Sequence, residues 1–244
     1  MSASTDREVR IFPDLKELSN AVADTFRSLA GTAVAEGVRF TAALSGGSTP
    51  RELYALLAKK PYCDQIAWER VHLFWADERC VPPAHDDSNF KLVQELLLSR
   101  VAIPAGNVHR IKGERGAVQA AADYEQELKA YFGNDDLPTF DLVILGVGED
   151  GHTASLFPGG VLDAPDAPCS ATRHPATDVP RLTLTLPVIN HAQQVVFLVT
   201  GADKAAALRA VRSPQSGGGR LPAGEVAPSA APVAWYLNAA AAGG

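Results

Sequence analysis

Short apolar, β-branched runs alternate along this chain with segments whose apolar residues recur at helical spacing, and no other feature limits its fold as tightly. Residues 38–44, 71–75 and 141–145 carry few polar side chains. A strand with one wet face would alternate, whereas a strand covered on both faces reads as a nearly continuous apolar run. Between the first strand, 9–12, and the second, Leu15, Leu18, Val22, Phe26, Leu29 and Ala33 fall on one helical face. Pro13 and Asp14 open that helix and Gly37 closes it. Further helices are predicted from Pro50, with Thr49 as N-cap, to about Ala58, over 90–98 after an Asp-Ser-Asn cap, over 118–131 and over 203–211. Strands are predicted over 181–186 and 194–200. Strands alternating with helices specify a single α/β domain over residues 1–244, a mostly parallel sheet covered on both faces. Room remains for a small appended lobe. Residues 157–180 read as a long irregular loop of the kind that is often functional, 213–219 as a flexible Pro/Ser/Gly loop, and the Ala-rich end after Asn238 as a frayed helix.

Composition excludes several classes. A chain of 244 residues buries a core large enough to need no covalent staples. With 22 Lys and Arg against 28 Asp and Glu, its net charge of −6 argues against a nucleic-acid partner and leaves room for a local basic pocket. Cys63, Cys80 and Cys169 are odd in number and lack paired spacing, which disfavours a disulfide framework or a multi-cysteine zinc site and fits a reducing compartment. Residues 1–10 are polar, without the apolar stretch of a signal peptide, and no apolar run reaches the roughly 18 residues of a membrane span. The expectation is a cytoplasmic protein with no membrane partner. The oligomeric state stays open, and a monomer is consistent with the sequence.

Four motifs stand where predicted strands finish, the place where open parallel sheets bind ligands. The first is Leu44-Ser45-Gly46-Gly47-Ser48-Thr49-Pro50. Gly46 and Gly47 allow close backbone approach to an anion, the next helix adds free N–H groups and its positive dipole end, and Ser48 and Thr49 add hydroxyl donors. A capped tight turn is the plainer reading. The loop lacks the Gly-Lys-[Ser/Thr] of a nucleotide-triphosphate site, and Ala43 spoils a nucleophile elbow around Ser45. The second motif is Trp75-Ala76-Asp77-Glu78-Arg79, where Arg79 can make a bidentate phosphate contact and Asp77 can face a pocket. An isolated Asp-Glu-Arg is more often a solvated turn. In the third, 141–155, Gly146, Gly148 and Gly151 spell G-x-G-x-x-G, but Pro158-Gly159-Gly160 arrives too soon for a dinucleotide site. What remains is His152 on a glycine-rich turn beside Asp150. Lone histidines are more often structural, yet a neutral imidazole flanked by an acid is what a general base near pH 7 needs. The fourth motif supplies Arg181 at the start of a strand and Lys204 just past the next one. No spacing marks a metal site, and none calls for a cofactor.

The order and spacing of all four motifs resemble the glucosamine-6-phosphate isomerase/6-phosphogluconolactonase family, on its lactonase side. The resemblance rests on 44–50, 76–79 with Asp87-Ser88-Asn89, 145–159, 181–190 and 200–204, and on Leu221-Pro222, Val226, Pro228 and Trp235, so it covers nearly the whole chain. It implies an α/β/α sandwich on a Rossmann-like sheet, the fold shared with glucosamine-6-phosphate deaminase and ribose-5-phosphate isomerase. It further implies a phosphosugar lactone as substrate: 6-phospho-D-glucono-1,5-lactone, hydrolysed to 6-phospho-D-gluconate in the oxidative pentose phosphate pathway. The deaminases typically continue from the shared His into Asn-Glu-Pro-Gly. Here the matching stretch is Leu156-Phe157-Pro158-Gly159, and the apolar ring of Phe157 cannot relay a proton. They also usually carry Tyr where this chain has Arg79. Both departures favour the lactonase.

On this resemblance the substrate phosphate docks on the backbone of Ser45 to Thr49, with Arg79, Arg181 and Lys204 as supporting cations. His152 removes a proton from water and returns it to the ring oxygen. Backbone N–H groups at Gly148 and Gly151 are expected to face the oxyanion. Asp77 is expected to orient water or sugar hydroxyls, or to support His152. The competing readings are an amino-sugar phosphate deaminase or isomerase, a non-catalytic phosphosugar-binding sensor, and a serine hydrolase acting through Ser45.

Overall fold

A computed structural model describes residues 7–133, 137–212 and 220–243. In chain order its strands are β1 Arg7–Phe12, β2 Phe40–Leu44, β3 Val71–Trp75, β4 Asp77–Arg79, β5 Val108–His109, β6 Leu142–Leu145, β7 Cys169–Arg173, β8 Pro180–Leu184, β9 Val195–Val199 and β10 Val233–Asn238. Its helices are α1 Leu15–Ala35, α2 Pro50–Leu57, α3 Tyr62–Gln65, α4 Asn89–Leu96, α5 Ala117–Phe132, α6 Leu186–Asn190, α7 Ala205–Arg212, α8 Pro222–Glu225 and α9 Ala239–Ala242.

The main sheet has the order β1-β10-β9-β6-β2-β3-β5, and every pairing in it is parallel. Its central strands β9, β6, β2 and β3 are buried along their whole length, which is why they read as apolar runs. From β2 the chain builds outward through β3 to β5. After β5 it returns to the other side of β2 and builds through β6, β9 and β10. Right-handed crossovers therefore put α1 to α4 on one face and α5 to α7 on the other. Contacts of α1 with α2 and α3, and of α2 with α4, agree with that placement. The direction reverses between β2 and β6, so the crevice at their carboxyl ends is the switch point where such sheets hold ligands.

Local sequence sets the main elements. Asp14 accepts the N–H of Glu17 at 2.8 Å to cap α1, and Leu18, Val22, Phe26, Ala30 and Ala33 are the buried stripe. Ser88 caps α4 by accepting the N–H of Lys91 at 3.1 Å.

Several boundaries differ from the sequence reading. Thr49 stands at the N-cap of α2 but caps nothing, because its hydroxyl bonds Thr200 at 3.0 Å. The strand expected over 181–186 ends at Leu184, and Leu186 opens the short helix α6. The supposed loop 157–180 contains β7, which joins β8 and β4 in an antiparallel sheet of order β4-β8-β7. That sheet is the small appended lobe. The tail after Asn238 is a short capped helix, α9, whose N–H at Ala241 donates to the Asn238 side chain at 2.9 Å. Cys63 and Cys80 are half-buried rather than in the core, while Cys169 is buried. The 213–219 stretch lies outside the described residues.

Candidate active site

Four strand ends meet around a cavity of about 230 Å³: those of β2, β3, β6 and β9. Every site residue named from the sequence lines it except Gly151: Ser45, Gly46, Gly47, Ser48, Thr49, Asp77, Arg79, Gly148, His152, Arg181 and Lys204.

The β2–α2 loop is held from below. Tyr54 donates to the Ser45 carbonyl at 2.6 Å, and the Ser45 hydroxyl donates to the Ile144 carbonyl at 2.8 Å, tying β2 to β6 across the switch point. Ser45 is therefore a strand clamp, and among the described residues no histidine bonds its hydroxyl. Gly47 has φ +99°, a conformation that glycine adopts without strain. A Cβ on Gly46 would lie 1.8 Å from Oδ1 of Asn89, so only glycine fits there. The backbone N–H groups of Gly46, Gly47 and Ser48 donate to no protein acceptor among the described residues. With the α2 N-terminus behind them, they form a cradle suited to an anion.

Cations surround the cavity. Arg79 on β4 and Arg181 on β8 are direct antiparallel partners. Like charges so placed repel unless an anion lies between them. Burial first, and then Arg79, pushes the Arg181 guanidinium below its ordinary pKa. The Nε atoms of both arginines are buried without a hydrogen-bond partner, although Arg79 donates through Nη1 to the Asp87 carbonyl. Lys204 lies 3.1 Å from Asp203 and 3.6 Å from Glu149.

On the β6 side, Nδ1 of His152 and Oδ1 of Asp150 lie 2.6 Å apart. Burial raises the Asp150 pKa, but the backbone N–H and imidazole of His152 outweigh it, and the net shift is downward. The carboxylate thus accepts, Nδ1 carries the proton, and Nε2 is left without a protein partner among the described residues. Gly148 makes this possible, since a Cβ there would lie 2.1 Å from Nδ1 of His152. Phe157 is buried and packs its ring 5.0 Å from the imidazole.

Two expectations change. The N–H of Gly148 donates to the His152 carbonyl at 2.9 Å and that of Gly151 to the Gly148 carbonyl at 3.0 Å, so neither is open to an oxyanion. Gly151 turns away from the cavity: it has φ +83°, and a Cβ on it would meet the Leu221 side chain at 2.5 Å. Asp77 makes no bond to His152. Its Oδ1 accepts from Asn89 at 3.1 Å and its Oδ2 from Ser155 at 2.7 Å. Ser155 reaches it from a tight turn in which Ala154 takes φ +47°.

Sequence reasoning took Asn89 as part of a cap and of the family resemblance but gave it no place in the site, although it lines the cavity and donates to the Asp77 carbonyl at 2.9 Å. Glu78 is no site residue. Its carboxylate accepts the N–H groups of Arg79, Asn89 and Phe90 and the Ser88 hydroxyl, which pins the start of α4.

A family profile described as glucosamine-6-phosphate isomerases/6-phosphogluconolactonase matches residues 13–235. A 6-phosphogluconolactonase of Haemophilus influenzae is 39% identical over 198 residues, 81% of this chain and 84% of the relative. The solved 6-phosphogluconolactonase from Trypanosoma cruzi superposes with a TM-score of 0.87 at 26% identity, covering 98% of this chain and 97% of that one. A monomeric glucosamine-6-phosphate deaminase shares the fold at a TM-score of 0.81, with 17% identity over 97% of this chain and 99% of its own. The sheet order, the strand-end cavity and these relatives agree, and the chain belongs to the glucosamine-6-phosphate isomerase/6-phosphogluconolactonase family.

Proposed function

We propose that the protein hydrolyses 6-phospho-D-glucono-1,5-lactone to 6-phospho-D-gluconate, the reaction named by its 6-phosphogluconolactonase relatives. The observation that carries the mechanism is His152, held by Asp150, in the wall of a cavity otherwise suited to an anion. The phosphate seats on the free N–H groups of Gly46, Gly47 and Ser48, next to the Thr49 hydroxyl, with Lys204, Arg79 and Arg181 balancing its charge. Anchoring one end of the substrate orients the lactone carbonyl at the other, which converts a loose encounter into an aligned one.

His152 then takes a proton from water through Nε2 while Asp150 holds Nδ1–H. The resulting hydroxide oxygen bonds to C1, and the carbonyl π pair moves onto its oxygen. On collapse the C1 to ring-oxygen bond breaks, the ring oxygen takes the proton from Nε2, and the new carboxylic acid ionises. Because the N–H groups of Gly148 and Gly151 are engaged within their turn, they donate nothing to the carbonyl oxygen. Asp77, fixed by Asn89 and Ser155, acts as an acceptor for sugar hydroxyls. One chain carries all of these residues, so the reaction asks for no second subunit, and we place it in the cytosol.

A deaminase is the reading to separate from this one, because the fold is common to both. Phe157, against the imidazole, offers no proton relay. Freshly prepared lactone and glucosamine 6-phosphate are the two substrates to compare, with hydrolysis followed by NMR over the spontaneous rate and ammonia release followed by a coupled assay. Fast lactone hydrolysis without ammonia is expected. Ammonia release with lactone turnover no faster than background would reverse the assignment.

A further inference from the structure

Phe157 has aromatic neighbours on two sides. Its ring lies 5.0 Å from that of His152, inclined at 52°, and 5.0 Å from that of His174, which it meets edge-on at 71°. The three rings form a continuous row from the cavity wall to the turn between β7 and β8.

His174 is itself fixed from behind. Its Nδ1 accepts the backbone N–H groups of Ala176 at 3.2 Å and Thr177 at 3.3 Å. Its own N–H donates to the Val179 carbonyl at 3.1 Å, and its carbonyl accepts from the N–H of Asp178 at 2.8 Å. Arg173 closes the turn by donating to the Asp178 carbonyl at 2.6 Å. A nitrogen that accepts two N–H groups carries no proton, so the ring is the neutral Nε2–H tautomer. Burial first, then Arg181, His152 and Arg79, push its pKa below the usual histidine value against the pull of Asp150. The ring therefore keeps its acceptor, and its place, at neutral pH.

Beyond its covalent attachment the His152 imidazole is held by the hydrogen bond of Nδ1 to Asp150, which opposes a swing of the ring about Cβ–Cγ at one edge only. Phe157 blocks that swing, and His174 backs Phe157. We propose that His174 is a positioning residue for lactone hydrolysis, holding the plane of the His152 imidazole through Phe157 so that Nε2 stays aimed into the cavity. The proposal rests on the reading of His152 as the base.

Two substitutions separate the ring from the turn: His174→Asn keeps a side-chain acceptor and removes the ring, while His174→Phe keeps the ring and removes the acceptor. Both are compared with His152→Ala for kcat and KM on fresh 6-phosphogluconolactone. The low-field Nδ1–H proton resonance of His152 is recorded alongside. Misplacement by about 1 Å can lower a rate about 100-fold, so the partial loosening here is expected to lower kcat roughly 3- to 10-fold in His174→Asn, with KM unchanged and the resonance shifted or broadened. His174→Phe is expected to restore most of kcat. A native kcat and unmoved resonance in His174→Asn, with His152→Ala inactive, would leave the base standing and overturn the positioning role. An equal loss of kcat in both His174 variants with the resonance unmoved in both overturns it too, since the His152 ring would then have kept its place. A native rate in His152→Ala would overturn the base and the role built upon it.

Discussion

A methyl group at position 148 would lie 2.1 Å from Nδ1 of His152 and 2.6 Å from Oδ1 of Asp150, inside the bond that sets the histidine tautomer. Gly148→Ala is thus a test of geometry that removes no reacting group. The dyad must open or turn, and a displacement near 1 Å lowers rates about 100-fold. We expect a loss in kcat/KM of that order in a variant whose melting temperature is little changed; native turnover would show that the dyad geometry is not needed. At this scale the sequence was most informative where residue type and strand-end position coincide, as at Ser45 to Thr49, Asp77, Arg79 and His152. It could not show which N–H groups the 148–151 turn consumes internally, nor that Asn89 leaves its cap to hold Asp77. Both depend on where a distant segment arrives.

Helix α4 depends on a buried acid ten residues before its cap. Glu78 gathers three donors at the start of that helix, and Asn89 at its first position meets both Gly46 and Asp77. In Glu78→Gln one carboxylate oxygen becomes an NH₂ facing N–H and O–H donors. The expected cost is about 1–3 kcal/mol, or roughly 2–10 °C in melting temperature for a chain of this length. An unchanged melting temperature would mean the network does not support α4. The long elements were legible because their periodicity is strong. β7 was not, since its residues Cys-Ser-Ala-Thr look polar and become buried only by bonding along the lobe: the Thr172 hydroxyl donates to the Val161 carbonyl at 2.9 Å, and Ser170 accepts from the N–H of Ala164 at 2.9 Å. β10 was hidden by the Ala-rich tail beside it, although its Trp235 stacks on Phe197 of the neighbouring β9 at 4.1 Å. Strands as short as β4 and β5 carry too few residues for a period of two to register.

Across the whole molecule, acid stability and the proposed catalysis call on different histidines. His72 on β3 is buried with its Nδ1 3.1 Å from Nε2 of His109, and burial first, then His109 and Arg39, push its pKa down to about 4. The unfolded chain takes up that proton near pH 6.5. The stabilisation is therefore present above about pH 6.5 and is lost as the pH falls toward about 4. Melting temperatures across this window should fall less steeply in His72→Gln than in the native protein; parallel curves would remove His72 from the acid response. The candidate site lies apart from that pair, at the switch point between β2 and β6, where one cavity joins the anion cradle, the paired arginines and the Asp150-held imidazole. The most direct test follows hydrolysis of fresh 6-phosphogluconolactone by NMR against the spontaneous rate, with native protein and His152→Ala side by side. The account predicts rapid native turnover and a loss of roughly 10²- to 10⁴-fold in the variant, the range general-base catalysis supplies, with phosphate binding retained. Equal rates in the two proteins would contradict it.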